Sequence, residues 1–132
     1  MDNLVTIENL NVRFALEDYT VHAVRDVSFS IARGQSMGLV GESGCGKSVT
    51  AYSIMRLISP PGYIDSGNIL FENTSLLDLD DESMRKIRGN KIAMIFQEPM
   101  TSLNPVFTIG YQVEEVLQLH RGMDKKESRE YA

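Results

Sequence analysis

Gly41-Glu42-Ser43-Gly44-Cys45-Gly46-Lys47-Ser48 fits the template G-x-x-x-x-G-K-[ST] at every fixed position. The apolar run Met37-Gly38-Leu39-Val40 leads into it, and helical spacing from Lys47 to Ile58 follows. That strand, glycine loop and helix order is the setting in which the template cradles phosphate. Gly41, Gly44 and Gly46 let the backbone curl so that successive N–H groups point inward. A helix opening at Lys47 adds its unpaired amides and the positive end of its dipole. Lys47 brings a full charge for β- and γ-phosphates, and the Ser48 hydroxyl is placed to ligate Mg²⁺. The stretch therefore implies an α/β fold of the P-loop NTPase kind and a nucleoside triphosphate with its Mg²⁺. A chance glycine turn is the competing reading, and the ordered flanks weigh against it.

Composition agrees with a globular chain. The 132 residues are 42% hydrophobic and 23% charged, which suits one domain. Thirteen basic against eighteen acidic residues give a net charge of −5. No basic stripe interrupts this balance, so no nucleic-acid footprint is expected. No apolar run reaches the length of a membrane span, and the N-terminus lacks a charged-then-apolar signal segment. A membrane role would then be peripheral, through a partner. The single cysteine, Cys45, lies in the loop itself, which excludes a disulfide framework and points to a reducing compartment. It is either a redox-sensitive position or simply a variable loop residue.

Working outward, Val5, Ile7, Leu10, Val12 and Phe14 are spaced nearly by two, as are Val21, Ala23, Val27, Phe29 and Ile31. Both runs predict strands, joined across the polar Glu17-Asp18. Arg33-Gly34-Gln35 predicts a turn into the loop-bearing strand, Ser36 to Val40. Pro60-Pro61-Gly62 breaks the helix pattern, and Asn68 to Phe71 reads as a short strand ended by Glu72-Asn73-Thr74. Asn73 tolerates the left-handed backbone that such a turn asks for. Asp80 or Asp81 is placed to cap a short helix ending at Gly89. Lys91 to Phe96 predicts a further strand, and Thr108 to His120 has helical spacing. Asp124 with Glu127 three residues on predicts a capping box that opens a last helix.

The second informative segment is Ile95-Phe96-Gln97-Glu98-Pro99-Met100-Thr101-Ser102-Leu103-Asn104-Pro105. An apolar run ending in a lone glutamine and followed by two prolines describes a strand feeding a stiff, exposed loop. A neutral amide there can ligate Mg²⁺ or orient a water, or serve only as a polar strand end. Together with the stretch from Gly38 to Ala51, this wording resembles the ATP-binding subunit of an ABC transporter. It is most similar to the ATPases of the oligopeptide, dipeptide and nickel importer group. The resemblance covers essentially the whole chain, as the N-terminal part of such a subunit.

What the resemblance implies is specific. Gly41, Ser43, Gly44, Cys45, Gly46, Lys47, Ser48 and Val49 would line the phosphate site. Gln97 would be the glutamine-loop residue, sensing Mg²⁺ and the γ-phosphate, and so share the metal with Ser48. The Glu98 to Pro105 loop would face a transmembrane permease subunit, and a second ATPase subunit would complete the site. An upstream aromatic would stack on adenine. Phe14 matches the family position, and Tyr19 is its rival because the Ala15 to Thr20 insertion blurs the register. The chain would divide at about residue 97 into a β-rich P-loop core, with an antiparallel β subdomain, and the start of a helical subdomain over 98–132.

The departures from the family pattern carry weight as well. The sequence shows no signature segment, no four apolar residues ending in Asp-Glu, and no histidine loop. Ile69-Leu70-Phe71-Glu72 is out of order for the acidic strand, and Glu98 falls in the partner-facing loop. Asp78, Asp80, Asp81 and Glu82 read as a solvated, helix-starting face. Phosphoryl transfer needs positioned water, metal and charge stabilisation, so hydrolysis by this chain alone is not expected. In the family, the acidic strand runs beside the loop-bearing strand. Without it, Ser36 to Val40 is expected to have a bare edge, favouring marginal stability or self-association. The expected function is ATP binding within an importer ATPase. The alternative is a non-catalytic fragment docking on a permease, and a DNA-repair type of P-loop machine is disfavoured by the glutamine-loop wording.

Overall fold

The computed structural model describes residues 2–132. The chain divides into two compact units, one running through Asp80 and the other spanning Asp81–Ala132.

The first unit is built on a four-stranded antiparallel sheet in the order β2-β1-β3-β4. Strand β1 covers Asn3–Ala15, β2 Thr20–Ala32, β3 Gly62–Phe71 and β4 Thr74–Ser75. The near-period-two spacing of the first two strands sends alternate side chains to one face. Val5, Ile7, Leu10, Val12 and Val24 are buried, joined by Ile69 and Phe71 from β3. Ile7 sits opposite Phe29 on one side and Ile69 on the other, so β1 is the central strand of this core. The register slips between Ile7 and Leu10, where Asn9 and its cross-strand neighbour Asp26 take positive φ. Asn9 Nδ2 donates to Asp26 Oδ1 at 2.8 Å, which ties the irregularity shut. Glu72 and Asn73 both have positive φ and form the two-residue turn between β3 and β4, as expected of Asn73.

Strand β3 is longer than the sequence suggests. Asp65-Ser66-Gly67 hides its first half, yet Arg13 Nε holds Asp65 Oδ2 at 2.9 Å across the β1–β3 ladder. Helix α1 spans Lys47–Ile54 and is shorter than the predicted Lys47 to Ile58. Arg56 (φ 50) stops it. Its N–H donates to Ser53 O, and Leu57 N–H reaches back to Tyr52 O, the paired bonds of a Schellman ending. The strained position is held because Arg56 Nη1 donates to the carbonyls of Leu76 and Leu79.

The predicted strand at Ser36 to Val40 does not form: the segment is irregular and exposed, with Val40 at 90%. A parallel strand exists only through its ladder partners, and among the described residues this segment has none. The same correction applies to Lys91 to Phe96, where only a single bridge, Arg88 to Ile92, is made and Ile95 is 94% exposed.

The second unit carries α2 (Asp81–Ile87), α3 (Ile109–Arg121) and α4 (Lys125–Tyr131). Asp81 and Glu82 open α2 and Arg85 and Lys86 close it, the charge order that a helix dipole favours. Thr108 caps α3 by accepting from Tyr111 N–H. Asp124 caps α4 in a capping box, with Glu127 returning a carboxylate to the Asp124 N–H. Gln118 Nε2 donates to the buried Ser128 Oγ at 2.9 Å, joining the two helices.

Candidate functional site

The glycine loop of the first unit wraps around a single ammonium. Lys47 Nζ donates to the carbonyls of Gly41 and Glu42, both at 2.6 Å, and lies 3.5 Å from Cys45 Sγ. Glu42 O also accepts from Cys45 N–H at 3.2 Å, closing the turn beneath it. Gly41 is pressed by the Cys45 thiol, which occupies the space a Cβ would need. Gly46 caps α1 in the left-handed region (φ 91), and a Cβ there would run into the carbonyl of Ala23 on β2. The helix start is thus seated directly on the antiparallel sheet.

No side chain caps α1. The first-turn amides of Lys47, Ser48 and Val49 have no carbonyl one turn earlier to bond, so they are the helix's own anion-seeking donors. Thr50 seals the base of the turn. Its hydroxyl and its amide both bond Gly46 O, at 2.8 and 2.9 Å. A loop in which Gly41 and Gly46 leave no room for side chains and Gly44 takes positive φ, with one ammonium at its mouth and free helix amides behind, is fitted chemically to a polyphosphate. Among the described residues there is no group of three or more His, Cys, Asp or Glu able to hold a metal ion.

The structure brings Gly41, Ser43, Gly44, Cys45, Gly46, Lys47, Ser48 and Val49 into this one loop and helix start. A cleft of about 430 Å³ opens beside it, between the loop and β2, lined by Val21, His22, Val24, Arg25, Cys45 and Thr50 among others. The sequence reading passed over this wall, because strand residues flanking the loop only from across the fold give no local signal. Phe14 pairs with Val21, and its ring lies against Gly62. Tyr19 is exposed in the β1–β2 connection.

In the second unit, Gln97 is exposed where the sequence led a strand to end. The loop after it begins with a 3₁₀ turn, Pro99–Thr101. It is then clamped by a reciprocal pair. Gln112 Nε2 donates to Asn104 O, and Asn104 N–H donates to Gln112 Oε1, both at 2.9 Å. Gln112, one turn into α3, is a residue the sequence did not flag. A larger cleft of about 580 Å³ in this unit runs along α2 and α3 past Arg85, Lys86 and His120, and it carries no phosphate-binding element.

Comparison with known proteins fits this geometry. The ABC transporter family profile matches residues 24–131. The chain belongs to the ABC transporter family. It is 54% identical over 127 residues to YejF, an uncharacterized ABC transporter ATP-binding protein of Escherichia coli, covering 96% of this chain and 24% of that protein. It is 49% identical over 130 residues to DppD, a dipeptide transport ATP-binding protein of Bacillus subtilis, covering 98% and 39%. The chain thus spans roughly a quarter to two fifths of the length of these relatives. Its fold matches the dimeric structure of the ABC transporter cassette MJ0796 with a TM-score of 0.80 at 29% identity, over 96% of this chain and 53% of that one. A second structure of MJ0796, bound to ADP and Pi, matches at 0.77 with 27% identity. No helix among the described residues is long and apolar enough to cross a membrane.

Proposed function

We propose that this chain binds Mg-ATP at Gly41–Val49 as part of the ATPase subunit that drives peptide, or nickel, import. The observation that carries the reading is the seat of Gly46 against Ala23 O, which puts the uncapped start of α1 and the Lys47 ammonium at the mouth of one loop. A triphosphate would replace the Gly41 and Glu42 carbonyls as partner of Lys47 Nζ, exchanging two neutral acceptors for anionic ones. Gly41, Ser43, Gly44, Cys45 and Gly46 would offer the cradle. Lys47, Ser48 and Val49 would add helix amides, and Ser48 and Gln97 would bind Mg²⁺. Phe14 is the proposed adenine-stacking residue, with Tyr19 its rival.

Support for the peptide-importer assignment comes from the similarity to the dipeptide transport protein and from the loop wording Gln97 to Pro105. That loop would meet a transmembrane permease subunit on the cytoplasmic face of the membrane, and its exposed Met100 and Leu103 suit an apolar partner. A second ATPase subunit would complete the nucleotide site across a dimer interface, and no nucleic-acid partner is proposed. A proposed organisation separates a P-loop core up to about residue 97 from the glutamine loop and helical start over 98–132.

The test is calorimetric titration of the chain with Mg-ATP, paired with a phosphate-release assay. Saturable binding that Lys47→Ala strongly weakens supports the nucleotide reading. Turnover at a rate that Lys47→Ala removes would show that the chain also hydrolyses, whereas binding without turnover favours the docking role.

A further inference from the structure

Helix α1, whose start carries the phosphate-facing amides, is held by its two ends more than by an apolar face. The residues buried within it are Thr50 and Ser53, and Met55 at its C-cap adds a buried apolar side chain. The two hydroxyls donate to the helix's own turns, Thr50 Oγ1 to Gly46 O at 2.8 Å and Ser53 Oγ to Val49 O at 2.7 Å. At the start of α1, Gly46 is seated on Ala23 O of β2. At the other end stands Arg56, in the left-handed region (φ 50) where a helix ending commonly has glycine. Its Nη1 donates to Leu79 O at 2.7 Å and to Leu76 O at 3.2 Å. Leu76 is fully buried, and its N–H donates to Ile69 O of β3 at 2.8 Å. It directly follows β4, and β2 and β4 are the outer strands of the sheet. The helix is therefore tied at its start to one edge of the sheet and at its end, through the guanidinium, to the chain beside the other.

We propose that Arg56 is a positioning residue of the phosphate site: its guanidinium fixes the tilt of α1, and with it the aim of the Lys47, Ser48 and Val49 amides. The inference rests on the nucleotide reading above, and it adds a determinant that lies outside the glycine loop and touches no ligand. A helix of eight residues is about 12 Å long, so a tilt of roughly 5° about one end moves the other by about 1 Å. That is enough to carry an N–H···O contact out of hydrogen-bond range. If Arg56 served only to end the helix, glycine would do so with less strain. What arginine adds is the pair of bonds to Leu76 O and Leu79 O, and a strained backbone persists where its surroundings over-determine it.

The experiment titrates the full chain and its Arg56→Gly and Arg56→Lys variants with the Mg²⁺ complexes of inorganic tripolyphosphate and ATP, at a temperature where circular dichroism shows each fully folded. Glycine relieves the backbone while deleting the clamp, so the urea midpoint of Arg56→Gly should stay near the parent's. Its affinity for tripolyphosphate should nonetheless fall about three- to tenfold, the scale of one hydrogen bond. ATP should weaken by the same factor, because the guanidinium reads no part of the nucleoside. Arg56→Lys keeps a cationic donor for the carbonyls and should restore part of the loss. A purely structural role would leave the affinity of the folded variants unchanged, and that result overturns the proposal. Coupling between the two ends of α1 is reciprocal, so a second measurement needs only the parent. Tripolyphosphate should slow hydrogen exchange at Leu57 N–H, which bonds Tyr52 O at the far end of the helix, beyond any slowing in β1. No such excess also overturns the proposal, even where a variant fails to fold. Failure of the parent to bind tripolyphosphate and ATP alike overturns the nucleotide reading and this inference together, whereas parent binding that the variants share equally overturns the inference alone.

Discussion

Gly46 has no room for a side chain because Ala23 O stands where its Cβ would be. Its φ of 91 adds a second bar, since an L residue there is held in a region it rarely adopts. Gly46→Ala should therefore destabilise the fold by about 1–3 kcal/mol from backbone strain alone. Either α1 must shift off β2 or the Ala23 carbonyl must move. Urea unfolding should show an earlier midpoint, and the loop should lose polyphosphate binding with it. A midpoint equal to the parent's would mean that the seat of α1 on the sheet is not rigid.

Lys47 gives the opposite signature. Its ammonium bonds two carbonyls of the loop it would serve, and the residue is only half-buried. Lys47→Ala removes a charge whose hydrogen bonds to phosphate contribute about 1.5–3 kcal/mol. Tripolyphosphate and ATP should both weaken by roughly ten- to a hundredfold. Unfolding should shift far less than in Gly46→Ala. Equal weakening of the two ligands is the diagnostic result, because Lys47 touches neither base nor sugar in the proposed site.

The two aromatic candidates separate on packing. The Phe14 ring lies against Gly62 and is half-buried, while Tyr19 is exposed in a turn. Phe14→Ala should weaken ATP by about three- to tenfold with tripolyphosphate untouched, the scale of one lost stacking contact. Tyr19→Ala should leave both ligands within twofold of the parent. The reverse order would move the adenine contact to Tyr19.

Local rules carried the sequence reading wherever a segment could satisfy itself locally. The period of two in Val5 to Phe14 gave β1, Glu72-Asn73 gave the turn, and Asp124 with Glu127 gave a capping box with both bonds present. Ser36 to Val40 and Lys91 to Phe96 were misjudged for the opposite reason. Their apolar content suits parallel strands, and such strands exist only with partners that spacing cannot supply. The glycine loop was legible residue by residue because each position answers to phosphate geometry. His22 was not, since its ring bond to Asn11 Oδ1 joins β2 to β1, and neither residue carries a local signal of the other.

The cap at Asp124 predicts a local effect. Its Oδ1 accepts from Lys126 and Glu127 N–H groups, both at 2.8 Å, on a helix of only seven residues. Asp124→Ala should cost about 1 kcal/mol. Hydrogen exchange should quicken in α4 amides while those of β1 keep their protection. Uniform loss of protection would instead mean that α4 is part of the cooperative core.

Val40 and Ile95 depart far from ordinary burial, each at least 90% exposed within an apolar run. Apolar segments of this kind, unpaired and open to solvent, favour contact with another copy of the chain. The free chain should show concentration-dependent light scattering and bind an apolar dye. Burying a valine or isoleucine side chain contributes about 1.5–3 kcal/mol, so the double variant Val40→Ser/Ile95→Ser should weaken self-association by roughly tenfold or more. It should do so without disturbing β1 to β3, which neither residue contacts in the ladder. Unchanged scattering in the variant would shift attention to the outer edge of β2, whose ladder is occupied by β1 on one side only. A lysine placed on that edge, at Ser30, would then be the substitution that lowers association, because edge charge opposes strand pairing.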